Sequence, residues 1–193
     1  MEVRNNVSFG ANYISPAKIR IKNGKKWKDV ELSFIKFNTS NKTDLETIRT
    51  VAKIWGRQNL SAGIQEEAEI LGKGAQIYAV TAQRTGFEHA VAHSIMGLMS
   101  TDKIGKAKET VQIFKIGTAP QFAYEQNGRS RELKHIARGM IDAFRDFVKS
   151  KNKGDVVVSY ADSEDIKFLN KVGLRPKNDL TELINNKQTI ENK

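Results

Sequence analysis

The amino-acid sequence predicts an α/β fold in a single domain. Its hydrophobic pattern changes repeatedly between the two-residue period of a half-buried strand and the 3.6-residue period of an amphipathic helix. The predicted order is strand, two helices, three strands, helix, strand, helix, strand. No Pro/Gly/Ser-rich linker divides the 193 residues, and this length can bury a sizeable core. We therefore expect an N-terminal extension at 1–29, a core at 30–176 and a polar tail at 177–193.

The extension carries a dense group of cations. "KIRIKNGKKWK" (18–28) surrounds an Asn23-Gly24 dipeptide, a strong signal for a β-hairpin. The hairpin is either a solvated ribbon or an arm that binds phosphate groups, for example those of a nucleic acid. Its cations are Lys18, Arg20, Lys22, Lys25, Lys26 and Lys28.

The core begins with a strand and a helix. "VELSFIKFN" (30–38) alternates as a strand does, and the helix follows within 40–59. Thr43 and Asp44 are its alternative N-caps. One face of this helix is apolar and carries Leu45, Ile48, Val51, Ala52 and Trp55.

The later elements follow from the same periodicities. A second short helix is predicted in "SAGIQEEAEIL", and strands are predicted in "QIYAVTAQ", "VAHSIMGLMS" and "TVQIFKIGTA". After a long helix come the strand "DVVVSYAD", the short helix "SEDIKFLNKVG" and an extended piece that begins at Leu174.

The long helix combines an apolar stripe with a cationic start. The stripe, which we expect to pack on the sheet, consists of Leu133, Ile136, Ala137, Met140, Phe144, Phe147 and Val148. Acidic residues usually stabilise a helix N-terminus, because its free backbone N–H groups carry partial positive charge. This start instead carries cations, so it predicts either an anion site, with "GTAP" entering as the strand before it, or a solvated cluster. The cations are Arg129, Arg131, Lys134, His135 and Arg138.

Two stretches, together with the order of elements over about 30–176, resemble the GNAT (GCN5-related N-acetyltransferase) superfamily. "TAP" (118–120) is similar to the turn that ends the family's fourth strand, and "ELKHIARGMI" (132–141) to its Gln/Arg-x-x-Gly-x-Gly/Ala phosphate loop and helix start. "DSEDIKFLNKVGL" (162–174) is similar to its Asn-x-x-Ala-x-x-x-Tyr-x-x-x-Gly-Phe signature. The resemblance implies a mixed, mostly antiparallel central sheet with helices on both faces.

The chain also departs from the family pattern. His135 stands at the first small position and Glu132 at the Gln/Arg position, with Arg131 one place earlier. Glycine in such loops lets the backbone approach a phosphate, whereas a protonated His would donate to it instead. Leu169 replaces the Tyr that often protonates the leaving thiolate. The loop "QFAYEQNGRSR" is longer than the family's turn, and it can reshape the phosphate site.

The resemblance implies an acyl-coenzyme A dependent N-acyltransferase, with acetyl-coenzyme A or another acyl-coenzyme A as cosubstrate. An amine would attack the thioester carbonyl, which a backbone N–H near 116–118 would polarise. Glu88, Glu109, Asp102 and Asp162 are alternative general bases, and Tyr160 could replace the missing acid. The residues assigned to cofactor binding are Ile116, Gly117, Thr118, Arg129, Arg131, Leu133, Lys134, His135, Ile136, Ala137, Arg138, Asp162 and Phe168.

Composition narrows the function classes. The chain has no Cys, so a disulfide framework and a thiolate zinc site are excluded, and no apolar run is long enough for a signal peptide or a membrane span. We expect a cytoplasmic protein without a membrane partner. His89 and His93 lack a third ligand, so we expect no metal site. Neither a Walker loop nor a Gly-x-Ser-x-Gly elbow occurs.

Net charge keeps two alternatives open. At +10, from 32 Lys+Arg against 22 Asp+Glu, the chain favours anionic partners. A nucleic-acid binding or RNA-associated protein could use the six cations of 18–28. A GNAT-like module with a degenerate cofactor site would explain the departures at His135, Glu132 and Leu169. If the chain is an acyltransferase, the acyl acceptor is an amine carried by a small molecule, by a peptide or by a tRNA-linked group.

Overall fold

The structure is a computed structural model that describes residues 10–56, 64, 76–82, 92–106, 110–120, 133–151, 153–158 and 170. Residues 1–157 form one compact unit and 158–193 a second, of which only Val158 and Asn170 are described. The predicted helix at 163–173 lies outside the described residues except for Asn170. The extended piece from Leu174 and the tail at 177–193 lie outside them entirely.

Seven described strands form one sheet, and two helices accompany them. The strands are β1 (Asn12–Asn23), β2 (Lys26–Lys36), β3 (Gln76–Thr81), β4 (Ile95–Thr101), β5 (Val111–Thr118), β6 (Leu133–Lys134) and β7 (Val156–Val158). The helices are α1 (Lys42–Trp55) and α2 (Ile136–Lys151), and a 3-10 turn at Ala92–Ser94 precedes β4. The spatial order is β6-β1-β2-β3-β4-β5-β7, and the pairs from β6 to β5 are antiparallel.

The predicted hairpin is confirmed, with its turn one residue later than the dipeptide signal indicated. Asn23 still pairs with Lys26, so Gly24 and Lys25 are the two turn residues. Gly24 has φ 60°, which suits glycine at the first central position of a type II′ turn. β1 and β2 stay in register from Lys22↔Trp27 to Ser15↔Phe34, so the extension forms part of the sheet.

α1 begins two or three residues earlier than its predicted N-caps, Thr43 or Asp44, indicated. Its N-cap is Asn41, whose side-chain oxygen accepts from the N–H groups of Thr43 (2.8 Å) and Asp44 (3.4 Å). The prediction of Thr43 or Asp44 was therefore wrong. Asp44 is fully buried and accepts from the N–H of Asn38 at 2.6 Å, so it fixes the chain that enters the helix.

The helices lie on opposite faces of the sheet. The predicted apolar face of α1 packs, through Ile48, Val51 and Trp55, in one core cluster with Ile77 of β3 and Leu98 of β4. The strand residues that precede and follow Ile77 and Leu98 face α2, since successive strand side chains point to opposite faces. The prediction of an α/β fold with a mostly antiparallel sheet and helices on both faces is confirmed.

An aromatic cluster anchors α2 on its face. Tyr78 of β3 stacks on Phe34 of β2 (5.6 Å between ring centroids) and meets Phe144 and Phe147 of α2 edge-on (5.0 and 6.2 Å). These geometries are those that aromatic pairs prefer. The predicted stripe is thereby confirmed over most of its length, since five of its members are buried: Ile136, Ala137, Met140, Phe144 and Val148.

Two predicted boundaries were wrong. Leu133 was expected in the helix, but it lies in β6, and α2 begins at Ile136. The strand expected at 91–100 begins at Ile95, because the 3-10 turn occupies Ala92–Ser94. The predicted second helix at 61–71 is outside the described residues except for Ile64, which is helical and buried.

No helix in the described ranges is long and apolar enough to cross a membrane.

Candidate functional site

The end of β5 and the start of α2 meet across Gly97 of β4. Gly97 pairs with Thr118, and a Cβ built on Gly97 would lie 3.1 Å from both Ile136 and Met140 of α2. Ile136 is the first residue of α2, so the helix start lies over the strand next to Thr118. Glycine at position 97 allows this close approach, because any larger residue would press against the helix.

Backbone N–H groups at the end of β5 point to two different edges. Ala119 donates to the carbonyl oxygen of Met96 at 2.9 Å, so the N–H of Gly117 points to β4 in the alternating antiparallel pattern. The N–H groups of Ile116 and Thr118 therefore point to the β7 side. These are residues at which the sequence predicted a carbonyl-polarising N–H.

The described part of β7 does not reach these N–H groups. The N–H of Val111 donates to the carbonyl oxygen of Asp155 at 2.9 Å, so β7 meets β5 at the start of β5. β7 has three residues, about 10 Å, whereas Ile116 lies roughly 16 Å beyond Val111 at about 3.3 Å per residue. Among the described residues, no strand pairs with this part of the β5 edge.

The first turn of α2 has no side-chain acid. Gly139 donates to the carbonyl oxygen of His135 at 2.8 Å, which is the first intrahelical bond, so the preceding N–H groups lack intrahelical partners. No acidic residue occurs in the first turn of α2, and Arg138 there is exposed. Such an end is suited to an anion.

His135 precedes α2 in a left-handed backbone conformation. Its φ is 65°, and the side chain is exposed. This region of φ normally favours glycine, the residue type that the family pattern has at this position. The departure at 135 therefore keeps a glycine-like backbone and adds an imidazole at the helix start.

The structure joins two basic segments that are far apart in the sequence. β6 pairs with β1 at Arg20↔Lys134 and Ile21↔Leu133. The hairpin cations and the start of α2 thus share one edge of the sheet. Nothing in the local sequence of either segment indicates this pairing, because it depends on the global topology.

The predicted site residues divide into three groups. Ile116, Gly117, Thr118, His135, Ile136, Ala137 and Arg138 are described and lie at the junction of β5, β4 and α2. Leu133 and Lys134 are placed by their backbone in β6. The remaining candidates lie outside the described residues and stay predictions: Glu88, Glu109, Arg129, Arg131, Tyr160, Asp162 and Phe168.

Two further sequence candidates have defined positions. Asp102 donates its N–H to Gln112 near the start of β5, about 20 Å from Thr118 by strand rise, so it is not brought to the junction. His93 lies in the 3-10 turn and is exposed, while His89 is outside the described residues. Among the described residues, no group of three His, Cys, Asp or Glu could hold a metal ion.

Gly97 is a junction residue that the sequence motifs did not identify. A single glycine inside an apolar strand pattern, here "IMGLM", is a known signal of close backbone or helix approach. The signal was therefore present in the sequence. Its meaning depended on knowing that α2 crosses β4 at that point.

A second set of polar groups lies beside the junction, on β2 and β3. The Lys36 ammonium lies 5.8 Å from the centroid of the Tyr78 ring. Burial and the nearby charge of Lys103 lower the pKa of Lys36, and burial raises the pKa of Tyr78 well above its usual range. Lys36 pairs with Tyr78, which lies two residues, about 7 Å, from Val80, the partner of Gly97, so this set is close to the junction along β3.

Comparisons with known proteins give weak likenesses. No protein-family model and no curated protein matches this chain. Among solved structures, it is similar to an aminoglycoside acetyltransferase from an uncultured soil metagenomic sample, in complex with sisomicin. That match has a TM-score of 0.48 and 11% identity, and covers 76% of this chain and 90% of the other. It is also similar to a Trypanosoma brucei acetyltransferase, with a TM-score of 0.44, 15% identity and coverage of 76% and 94%. Both scores are below 0.5, so neither likeness settles an activity.

Proposed function

We propose that this chain is an acyl-coenzyme A dependent N-acyltransferase that transfers an acyl group, in the first instance acetyl, to an amine. One observation supports the proposal most directly. The Ile116 and Thr118 N–H groups lie on a part of the β5 edge that no described residue covers, and the acid-free first turn of α2 lies next to this end of β5 across Gly97. The N–H groups would polarise the carbonyl of a thioester, and the helix start would bind the phosphate groups of the molecule that carries the thioester.

The donor set at the junction suits the phosphate groups of a coenzyme A thioester. Backbone N–H groups of the first turn, the exposed Arg138 and the exposed imidazole of His135 are all donors or cations, and no first-turn acid repels an anion. Arg129, Arg131 and Lys134 are proposed to add charge here, and Leu133, Ile136 and Ala137 to shape the turn. Asp162 and Phe168 complete the proposed binding residues by resemblance alone.

The chemical step needs three functions from the chain. The N–H of Ile116 or Thr118 stabilises negative charge on the thioester carbonyl oxygen as the amine nitrogen attacks the carbonyl carbon. A base, proposed to be Glu88 or Glu109, takes the proton that the amine loses. The C–S bond breaks, and the thiolate leaves with a proton, for which Tyr160 is the proposed donor. The products are an amide and the free thiol.

Two measurements on the full chain test this proposal. Thermal unfolding is followed with acetyl-coenzyme A, free coenzyme A and ATP, each at low and high salt. A ligand at a hundred times its Kd that binds only the folded protein adds about 2.7 kcal/mol, a shift of several degrees. Thiol release from acetyl-coenzyme A is then measured over a panel of amines that includes small polyamines and peptide N-termini.

The outcomes separate the proposal from its main alternative. We expect acetyl-coenzyme A to stabilise the protein more than ATP does at high salt, and at least one amine to accelerate thiol release. Stabilisation without amine-dependent release would indicate a binding module with a degenerate catalytic site. No stabilisation by either coenzyme would contradict the proposal.

A further inference from the structure

The β1–β2 hairpin extends well past its neighbour β3. β3 pairs with β2 only at positions 33–36, whereas β2 continues in register with β1 back to Lys26. Residues 18–32, called here the basic arm, therefore lie beyond the described strand on the β2 side. All six cations of the arm are exposed: Lys18, Arg20, Lys22, Lys25, Lys26 and Lys28.

The two faces of the basic arm differ in charge. Directly paired residues of antiparallel strands share a face. Lys18 pairs with Glu31, and Arg20 pairs with Asp29 in an ion pair of 2.8 Å, so cations and acids offset one another on that face. Asp29 and Glu31 are the only acids of the arm.

The other face carries lysines without an arm acid. Val30 pairs with Ile19, which packs near Gly139 of α2, so this is the α2 side of the arm. Lys26 and Lys28 lie four and two residues before Val30 on β2, so their side chains point to the same face as Val30. Their spacing of two strand residues is about 6.6 Å.

The start of α2 continues this cationic face. Lys28 and Leu133 both pair with Ile21, on opposite edges of β1, so β6 lies about 10 Å from Lys28 at two strand spacings. His135 follows β6 directly and Arg138 lies in the first turn of α2, and both are exposed. The helix start thus follows a strand that lies two strand spacings from Lys28.

We propose that the α2 side of the basic arm, centred on Lys26 and Lys28, binds the phosphate backbone of a single-stranded nucleic acid. Lys26 and Lys28 are exposed and lie on one face at strand positions about 6.6 Å apart, so adjacent phosphates of one strand can contact both side chains. The binding is sequence-independent, since lysines contact phosphates and do not read base edges.

The arm fits nucleic acid better than a membrane. A membrane-binding surface inserts apolar side chains between lipids, in addition to its charges. The tip residues Asn23, Gly24 and Lys25 offer none, and the large exposed apolar side chains of the described residues are Tyr13 and Ile54, outside the arm. An acidic protein remains a competitor that the experiment separates.

The test measures binding of a fluorescent single-stranded RNA by anisotropy over a salt series, without acyl-coenzyme A. The Lys26→Ala/Lys28→Ala double variant is compared with the wild-type chain. A matched control, Lys42→Ala/Lys53→Ala, removes the same charge from two exposed positions of α1 on the opposite sheet face. Unlabelled RNA, polyglutamate and phosphatidylserine vesicles serve as competitors, and thermal melts check folding.

We expect the slope of log K against log salt, which is negative, to become less negative by about 1.4 in the double variant, at about 0.7 per phosphate contact on a single strand. The control should keep the wild-type slope, and unlabelled RNA should compete better than polyglutamate or vesicles. Equal slopes for both double variants would overturn the proposal, as would equal competition by polyglutamate or vesicles. Because no acyl donor is present, this result is independent of the acyltransferase test.

Discussion

Gly139 of α2 lies directly against the backbone carbonyl oxygen of Lys18 in β1, with no space for a side chain between them. Glycine in the interior of a helix costs about 1 kcal/mol relative to alanine. Here it allows the helix to contact the strand backbone, so α2 can support the basic arm. The contact connects the helix that begins the candidate site with the hairpin that carries the cations.

Replacing Gly139 with Ala should destabilise the protein despite the better helix propensity of alanine. The new methyl group would overlap the Lys18 carbonyl and force β1 and α2 apart. Overpacking of this kind typically costs about 1–3 kcal/mol, which urea denaturation would measure. Ser150→Ala, at an exposed position of the same helix, should change stability by less than about 0.5 kcal/mol. Unchanged stability of Gly139→Ala would show that the helix and strand are not in contact.

The backbone at His135 can be tested with two substitutions. His135→Gly and His135→Val both remove the imidazole and its contacts, so their difference reports the left-handed φ of 65°. A β-branched residue fits this region poorly, and we expect the Val variant to be less stable than the Gly variant by about 2 kcal/mol. Equal unfolding free energies in urea would contradict the left-handed assignment.

The role of the α2 start in anion binding can be tested with a matched pair of arginines. Arg138 and Arg145 are both partly exposed and both lie near Asp142, at 3.6 and 3.9 Å. Only Arg138 is in the first turn. We expect Arg138→Glu to reduce stabilisation by acetyl-coenzyme A, because a carboxylate would repel the phosphates, and Arg145→Glu to leave it almost unchanged. Thermal shift at matched ligand concentration measures both, and equal loss in the two variants would argue for a nonspecific charge effect.

Tyr78 should make the protein sensitive to alkali. Its hydroxyl is buried and has no hydrogen-bond partner among the described residues, and burial raises the pKa of the group. In the unfolded chain the phenol ionises above about pH 10, while the folded form keeps its proton, so the unfolded state binds fewer protons there. This contribution to stability is present below about pH 10 and falls as pH rises, by up to about 1.4 kcal/mol per pH unit.

Tyr78→Phe tests this account by removing the ionisable group. We expect the variant to equal or exceed the wild-type stability at neutral pH, by about 1 kcal/mol at most, because an unpaired buried hydroxyl is lost. The difference in its favour should grow when urea unfolding is repeated above pH 10. A difference that stays constant with pH would mean that Tyr78 ionises equally in both states.

Local sequence was sufficient to predict most of the elements. The apolar periods located α1, α2 and the central strands, since burial of one face imposes them. Helix ends were less predictable: Asn41 caps α1 ahead of Thr43, because Ser40, Asn41, Thr43 and Asp44 are all competent caps and only the surrounding chain selects among them.

The candidate site was only partly predictable. The cationic start of α2 and the end of β5 were identified from charge and motif, and the structure brings them together across Gly97. The division of the basic arm into a face with acids and a face without them required the register of β1 and β2. The pairing of Arg20 with Lys134 required the complete topology, which no local pattern contains.

The late arrival of β6 has a consequence for how the chain folds. β1 belongs to the first hairpin of the sequence, but its outer neighbour β6 follows only after α1 and the three strands β3, β4 and β5. β6 pairs with β1 at Arg20 and Ile21, so until β6 forms, this part of the outer edge of β1 is unpaired and could join another molecule. The exposed charges at Lys18, Arg20 and Lys22 oppose such pairing, because bringing two copies edge to edge would place like charges together. The cations that lie on the surface of the folded protein therefore also oppose aggregation of the partly folded chain.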